Sequence, residues 1–336
     1  MSKIKSFAAL VVTGIMAISL FTGCAPKEEE KDTIRLNEVV HSIFYAPQYV
    51  ALEKGFFAEE GLEVVLSVGQ GADKSMTALL SESADIALLG IEAGIYVTNE
   101  GKEGHIKPFA QLTQRAGNFI VSRQEEPNFK WENLKGKSII GGRPGGMPEL
   151  ILEHAIKSNG LVIGEDVEII NNIAFSSTSG AFVGGVGDYT AEFEPVASTL
   201  EEQGNGYVVA SLGEASGFLP YTVYMTTDTY AKENPELVQK FTNAIYKGQK
   251  WVNEHSAQEV AEVCLPYFKE SSIELLTKVV ERYKAQETWK ENPVFDKEGF
   301  ELIQDIMQDG GELDRRVDFD TLIDNSFAKK AMETVR

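Results

Sequence analysis

Short apolar runs alternate with stretches of helical periodicity from Thr33 onward, and the alternation restarts after Pro127. The strand-like runs cover residues 34–40, 62–68, 85–89, 107–112, 118–122, 138–140, 167–170, 189–193 and 207–210. Chains with this pattern bury mostly parallel sheets beneath helices. The pattern therefore predicts an α/β protein, and a chain of 336 residues is long enough for two separate cores.

The C-terminal third of the chain has a mainly helical pattern. Residues 221–226 form one more strand-like run, after which Asn234 and Pro235 mark the start of a long amphipathic helix. Together with the restart after Pro127, this returning strand predicts two lobes joined by two crossings. We expect the crossings near Ser122–Pro127 and near Leu212–Tyr221.

The N-terminal segment has the organisation of a secretory signal. Lys3 and Lys5 precede an apolar run from Phe7 to Phe21, which is too short for a stable membrane span. The run leads into Thr22-Gly23-Cys24, which resembles the lipobox of bacterial lipoproteins, although Phe21 stands where leucine is commonest. The resemblance implies cleavage after residue 23, lipidation of Cys24 and an anchor on the extracytoplasmic face of the cell membrane. An ordinary secretory signal with a chance cysteine is the alternative.

Charge and cysteine content restrict the partners and the chemistry. Residues 24–32 are highly charged and aperiodic, so we interpret them as a solvated tether. The formal net charge of −20 disfavours nucleic acid as a partner and favours a soluble monomer. Cys264 is the only cysteine after Cys24, which excludes an intramolecular disulfide in the mature chain, and its apolar neighbours favour a buried, inert thiol.

Four blocks of sequence resemble one family. Residues 46–66, with Pro-x-Tyr-Val-Ala, Gly-Phe-Phe and Glu-Glu-Gly-Leu, resemble the opening of the binding proteins for sulfonates, nitrate and thiamine-precursor pyrimidines. The weaker blocks 79–90, 132–142 and 193–195 follow in the family's order. The resemblance implies a two-lobed, type II-like periplasmic-binding-protein fold with two crossings and a helical C-terminal extension. It assigns residues 33–122 and 218–336 to lobe one and 123–217 to lobe two.

The resemblance also implies a function. Such proteins capture a small-molecule ligand in the cleft between their lobes and deliver it to the permease subunits of an ABC importer, which recognise the closed state. A sensory or structural lipoprotein that retains the fold is the alternative from a different class.

Candidate ligand contacts follow from where open α/β sheets bind ligands, beyond the carboxyl ends of their strands. Aromatic residues there would form flat walls, glycines before helices would offer backbone N–H groups, and arginines would meet a charged group. The expected ligand-binding residues are His41, Phe44, Tyr45, Gly71, Ala72, Ile91, Glu92, Arg115, Arg143, Gly145, Gly146, Met147, Ser176, Glu192 and Phe193. The alternatives are core packing for the aromatic residues, turn geometry for the glycines, a structural hydrogen bond for His41 and surface exposure for the arginines.

Carboxylates at the strand ends favour an organic ligand over an inorganic oxyanion. Glu92, Glu192 and Glu194 would repel nitrate or sulfate but accept hydrogen bonds from amino or ring N–H groups. We therefore expect a heteroaromatic, pyrimidine-like ligand, with an alkyl or aryl sulfonate or another small anion as the alternative.

No enzyme signature emerges. The glycine-rich segment 141–148 has Met147 and Pro148 where a phosphate loop requires lysine and Ser/Thr. The four histidines are too scattered for a metal signature. A fungal enzyme of the same family, the thiamine-pyrimidine synthase, needs a cysteine-rich cluster that this sequence lacks. We expect no catalytic residue, cofactor or metal.

Overall fold

The computed structural model describes residues 31–101 and 105–336. The predicted signal peptide, Cys24 and the tether up to residue 30 lie outside the described residues. Within those two ranges, no helix is both long enough and apolar enough to span a bilayer.

The strands of the described residues form two five-stranded sheets. They are β1 (Asp32–Glu38), β2 (Leu62–Val68), β3 (Ile86–Gly90), β4 (Ile106–Gln111), β5 (Asn118–Ser122), β6 (Lys137–Ile140), β7 (Val167–Ile170), β8 (Tyr189–Phe193), β9 (Tyr207–Ser211) and β10 (Thr222–Thr227). The first sheet has the order β2-β1-β3-β10-β4 and the second has the order β7-β6-β8-β5-β9. The first three strands of each order are parallel, and the fourth is antiparallel to both of its neighbours. We call the regions built on these sheets the first and the second lobe.

Helices cover both sheets. They are α1 (Ala46–Glu53), α2 (Phe56–Glu59), α3 (Ala72–Leu80), α4 (Ile91–Asn99), α5 (Met147–Ser158), α6 (Thr178–Val183), α7 (Val196–Glu202), α8 (Leu212–Ser216), α9 (Asp228–Glu233), α10 (Pro235–Glu254), α11 (Ala257–Cys264), α12 (Ile273–Ala285), α13 (Lys297–Asp309), α14 (Phe319–Leu322) and α15 (Ser326–Thr334). The two-lobed α/β fold and its helical C-terminal extension are therefore confirmed. The C-terminal helices contact both lobes, since α10 packs on α1 whereas α12 packs on α7 and α13 on α5.

The chain crosses between the lobes twice, but the first crossing lies earlier than predicted. Strand β5 pairs with β8 in the register Asn118↔Phe193 and with β9 on its other side. Residues 118–122 therefore belong to the second sheet, and the chain crosses at 112–117 instead of Ser122–Pro127. An apolar run predicts a strand but not its neighbours, which is why the sequence assigned this strand to the wrong lobe. The second crossing follows β9 at Leu212–Tyr221, as predicted.

Strand β2 is less buried than its composition suggested. An apolar run such as 62–68 is typical of a strand buried on both faces, yet Val65 is 49% exposed and Val68 is 43% exposed. The reason is topological, because β2 is the edge strand of the first sheet and pairs only with β1.

Helix α10 approaches α1 closely at a glycine. A Cβ atom on Gly248 would lie 2.2 Å from the carbonyl oxygen of Pro47 and 3.2 Å from the Cβ of Ala51. The absence of a side chain at this position therefore sets how closely the two helices pack.

Gly248→Ala should reduce the free energy of unfolding by about 1–3 kcal/mol, because the added methyl group forces α1 and α10 apart. Gly180→Ala is the matched control, since Gly180 is an exposed position of α6 where a Cβ atom meets nothing within 4 Å. Helix propensity predicts that the control is neutral or more stable by about 0.5–1 kcal/mol. Urea denaturation measures both, and equal stability of the two variants would contradict the close packing described above.

Candidate functional site

A cavity of about 280 Å³ lies between the lobes, at the carboxyl ends of the parallel strands. The loops after β1 and β2 and the junction of β3 with α4 line it from the first lobe. The loops after β6 and β7 and the end of β8 line it from the second. Eight predicted residues line it, namely Tyr45, Gly71, Ala72, Glu92, Arg143, Gly146, Met147 and Phe193. Its volume is near the lower end of the range for ligand pockets, which favours a small molecule.

Aromatic rings form much of the cavity wall. Tyr45, Phe175, Phe193 and Tyr221 all line it. Phe44, which was predicted to be a wall residue, lies one layer behind, with its ring centroid 5.5 Å from that of Phe193 and 5.6 Å from that of Tyr221. Phe44 thus supports the wall without lining the cavity.

Glu92 supplies a carboxyl group at the cavity that is only partly satisfied. It lies in the first turn of α4, is 2% exposed, and accepts a 3.4 Å hydrogen bond through Oε1 from the backbone N–H of Met147 in the other lobe. Its Oε2 has no hydrogen-bond partner among the described residues. Burial raises the pKa of Glu92 to about 7, although nearby backbone N–H groups and Arg143 act in the opposite direction.

Glycine at position 90 makes room for this carboxyl group. A Cβ atom at Gly90 would lie 1.9 Å from Oε2 of Glu92. Helix α4 begins at Ile91, directly after Gly90, so no loop separates β3 from the helix that carries Glu92. Ile91 is itself fully buried and does not line the cavity, so its predicted ligand contact has no support from its position.

Tyr221 is a second cavity residue with an unsatisfied polar group. It ends the second crossing and precedes β10, and it is 3% exposed. No described residue forms a hydrogen bond with its hydroxyl group. Burial, and then the charge of Glu92, raise the pKa of this phenol well above its usual range, so the hydroxyl group stays protonated and free to donate.

An ion pair joins the two lobes at the cavity. Arg143, in the loop after β6, places Nη2 3.7 Å from Oδ1 of Asp73 in α3. Both side chains are about half exposed. A second contact between the lobes lies nearby, where the hydroxyl group of Tyr96 donates to the carbonyl oxygen of Gly145 at 2.9 Å. Arg143 was predicted to meet a charged group of the ligand, but its guanidinium group is already paired in part with Asp73.

The backbone N–H groups of three glycines at the predicted site have acceptors within the chain. Gly71 donates to the carbonyl oxygen of Val39 at 3.1 Å, and Gly146 donates to that of Arg143 at 3.1 Å. Gly145, which does not line the cavity, donates to Oε2 of Glu149 at 2.8 Å. The chain itself thus supplies acceptors for the N–H groups of these glycines, and the binding of an anion at the helix starts after Gly71 and Gly146 stays a prediction.

His41 and Arg115 lie away from the cavity in structural contacts. The ring of His41 is held between Oε1 of Glu38 and the carbonyl oxygen of Tyr267, each at 2.9 Å. Arg115 donates to the carbonyl oxygen of Gly213 at 3.0 Å and stacks over the ring of Phe218. Both side chains connect segments that are distant in sequence, which the sequence alone did not reveal.

Ser176, Glu192 and Glu194 also do not line the cavity. Ser176 is exposed in a short 3-10 turn at Phe175–Ser177. Glu192 accepts hydrogen bonds from the hydroxyl groups of Thr190 at 2.7 Å and Thr178 at 3.1 Å. Glu194 forms an ion pair with Arg282, whose Nη1 lies 2.5 Å from its Oε1. Of the three glutamates predicted to lie near a ligand, only Glu92 lines the cavity, because Glu192 and Glu194 make contacts within the fold.

Fourteen further lining residues were not among the expected ligand contacts. They are Val39, Val40, Gln70, Asp73, Lys74, Gly90, Gly141, Gly142, Pro148, Ile173, Ala174, Phe175, Tyr221 and Thr222. Most adjoin predicted positions in the same loops. Tyr221 and Thr222 do not follow the carboxyl end of a parallel strand. They reach the cavity because β10 is antiparallel and brings its amino end there. In the described part of the chain, no cluster of His, Cys, Asp and Glu side chains is placed to hold a metal ion.

Comparisons with known proteins identify the family to which the chain is similar. A family model described as NMT1/THI5 like matches residues 43–259. The chain is 42% identical to YtlA of Bacillus subtilis, an inferred binding protein, over 93% of each chain. It is 25% identical to an inferred aliphatic sulfonates-binding protein of the same species, over 95% of each chain. It is 26% identical to the riboflavin-binding protein RibY of Chloroflexus aurantiacus, over 71% of this chain and 72% of that protein.

Solved structures share the fold at low sequence identity. The ligand-binding component of an ABC-type import system from Staphylococcus aureus, solved with zinc bound, superimposes with a TM-score of 0.73. It is 16% identical, and the match covers 90% of this chain and 99% of that one. At this identity the likeness shows the periplasmic-binding-protein fold alone.

The raised pKa of Glu92 predicts a loss of stability with rising pH. Between its ordinary pKa of 4.5 and its folded pKa of about 7, the folded protein holds a proton that the unfolded chain releases. The free energy of unfolding should therefore fall by up to about 3 kcal/mol as the pH rises through this window. Glu92→Gln should remove that part of the fall.

Urea denaturation at pH 5 and pH 8 measures this difference for both proteins. Glu192→Gln is the matched comparison, because burial also raises the pKa of Glu192 to about 7 at a position away from the cavity. This variant should lose less stability than the wild type between the two pH values, as Glu92→Gln should. If Glu92→Gln and the wild type lose equal stability between the two pH values, Glu92 is not buried as a neutral acid.

Proposed function

The chain belongs to the NMT1/THI5-like family, and from this premise we propose that it is the substrate-binding lipoprotein of an ABC importer, anchored outside the cytoplasm. The binding proteins among its relatives support the proposal, as does a cavity lined by both lobes. A ligand that contacts both lobes favours the closed arrangement, which is the state that permease subunits would recognise.

We propose a small heteroaromatic, pyrimidine-like ligand. The observation that carries this proposal is Glu92, a buried carboxyl group with an unpartnered oxygen beside the aromatic wall. Tyr45, Phe193 and Tyr221 offer flat apolar surfaces to a ring. In this proposal, Oε2 of Glu92 and the hydroxyl group of Tyr221 complete their hydrogen bonds with ring or amino groups, since satisfying a buried polar group favours binding.

An alkyl or aryl sulfonate is the second candidate. Arg143 and Lys74 at the cavity support it, as does the aliphatic sulfonates-binding relative. Two features weigh against it. Arg143 already pairs with Asp73, and a carboxylate occupies the N–H group at the start of α5 that would otherwise attract an anion.

We further propose that the protein binds its ligand without converting it. Cys264, the only cysteine after Cys24, is buried with its Sγ 3.9 Å from the carbonyl oxygen of Ala46, and burial raises the pKa of its thiol. It therefore supplies neither the cysteine cluster of the fungal enzyme nor an accessible nucleophile.

A thermal-shift screen tests the ligand class. Aminopyrimidines and other small heteroaromatics should raise the melting temperature, since a ligand at a hundred times its dissociation constant adds about 2.7 kcal/mol of stability. Nitrate, sulfate and taurine should leave it unchanged. Glu92→Gln should weaken binding of the hits, whereas Glu192→Gln, which also removes a buried carboxyl group, should not. Stabilisation by taurine but by no heteroaromatic compound would exclude the proposed ligand class, and a changed mass of the recovered ligand would exclude simple binding.

Cell fractionation tests the anchor. Cys24→Ser should move the protein from the membrane fraction to the soluble fraction, because the residue no longer carries acyl chains. Cys264→Ser is the matched control and should remain with the membranes, because that thiol lies in the protein core. A Cys24→Ser protein that still sediments with membranes after a salt wash would contradict lipidation.

A further inference from the structure

We propose that the ligand site extends behind the cavity wall to Asn118, whose side-chain amide binds a lactam or carboxamide group of the ligand. This inference rests on the proposed function and specifies its ligand further. It concerns a residue that does not line the cavity in the present arrangement of side chains.

Asn118 is a buried amide without partners. Its side chain is 0% exposed, and neither Nδ2 nor Oδ1 forms a hydrogen bond within residues 31–101 and 105–336. Native proteins leave few buried polar atoms unsatisfied, and each of them costs stability. An apolar residue of the same size would be more stable here, so the amide points to a function that stability does not explain.

The position of Asn118 connects it to the cavity. It begins β5 directly opposite Phe193 in the antiparallel pair, so the two side chains project from the same face of the sheet. Phe193 lines the cavity. A turn of the Phe193 ring would therefore join the space around the amide to the space that holds the ligand.

The aromatic rings around Asn118 also connect it to the wall of the cavity. The ring of Phe44 fills the space beside the preceding residue, where a Cβ atom on Gly117 would lie 2.4 Å from it. Phe44 in turn contacts Phe193 and Tyr221, and the hydroxyl group of Tyr221 is also unpartnered among the described residues. Both crossings thus bring an unsatisfied polar side chain to the same aromatic cluster, Asn118 at the end of the first and Tyr221 at the end of the second.

The chemistry of the amide defines what it would recognise. Asn118 offers two donors on Nδ2 and an acceptor on Oδ1 side by side. A lactam or carboxamide presents the complementary pair, an N–H group next to a carbonyl oxygen. A heteroaromatic ring with such a group would place the ring against Phe193 and the amide on Asn118. A sulfonate has no donor for Oδ1 and would leave that oxygen unsatisfied.

Matched ligands and one substitution test the inference. Isothermal titration compares nicotinamide with methyl nicotinate, and uracil with 1,3-dimethyluracil, because each pair shares its ring and differs in the N–H group. The wild type should bind the amide member at least ten-fold more tightly. Asn118→Leu should abolish that preference while raising the melting temperature of the unliganded protein.

A control amide separates function from burial. Gln304 in α13 is also fully buried with an unpartnered Nε2, but its Oε1 accepts the backbone N–H of Val317 and it lies away from the cavity. Gln304→Leu should lower the melting temperature and leave both affinities within about two-fold of wild type.

Each outcome decides the matter. If Asn118→Leu binds the amide ligands as the wild type does, the amide is structural or holds a water molecule, and the inference is wrong. If heteroaromatic ligands bind without preference for the N–H group, the inference fails but the proposed function stands. Binding of sulfonates alone overturns both. If Asn118→Leu does not fold, the side-chain amide resonance of Asn118 in ¹⁵N-labelled wild type must shift on addition of nicotinamide, and an unchanged resonance overturns the inference.

Discussion

The two crossing segments are hydrogen-bonded to each other, and the arrangement of both lobes depends on this pairing. The backbone N–H groups of Leu112 and Thr113 donate to the carbonyl oxygen of Thr222, and the hydroxyl groups of Thr113 and Thr222 lie 2.6 Å apart. Leu219 donates to the carbonyl oxygen of Gln114 at 2.9 Å. Because the segments run side by side, β5 and β10 each enter the sheet of the lobe that the chain has just reached. Two connecting segments that are hydrogen-bonded to each other favour bending of one lobe against the other about that connection.

The C-terminal helices add a second set of contacts between distant parts of the chain. Arg282 of α12 forms ion pairs with Glu194 at 2.5 Å and with Glu201 at 2.9 Å, both in the second lobe. Tyr283 donates to the carbonyl oxygen of Gly117 and accepts from the backbone N–H of Glu194. Since Glu194 is fully buried, loss of Arg282 would leave an uncompensated charge in the core. This explains why Glu194 serves the fold and not the ligand, although it stands at the end of a strand.

The cavity combines closure contacts with unsatisfied groups. Glu92 accepts a hydrogen bond across the lobes from Met147, and Asp73 pairs with Arg143. Oε2 of Glu92 and the hydroxyl group of Tyr221 have no partners in the described part of the chain. A ligand that completed these hydrogen bonds would also stabilise the contact between the lobes, because Glu92 belongs to both sets. The proposed function thus links recognition and closure through a single carboxyl group.

The sequence by itself determined the elements and the general position of the site. Hydrophobic periodicity gave β2, β5, β7 and β8 with the bounds observed, since local alternation reflects which face of a strand is buried. The rule that ligands bind beyond strand ends found Tyr45, Glu92, Arg143 and Phe193. Only the tertiary structure decided that β5 belongs to the second sheet and that His41, Arg115, Glu192 and Glu194 make contacts elsewhere in the fold. Strand pairing and side-chain partners depend on residues far apart in sequence, and a local pattern contains no information about them.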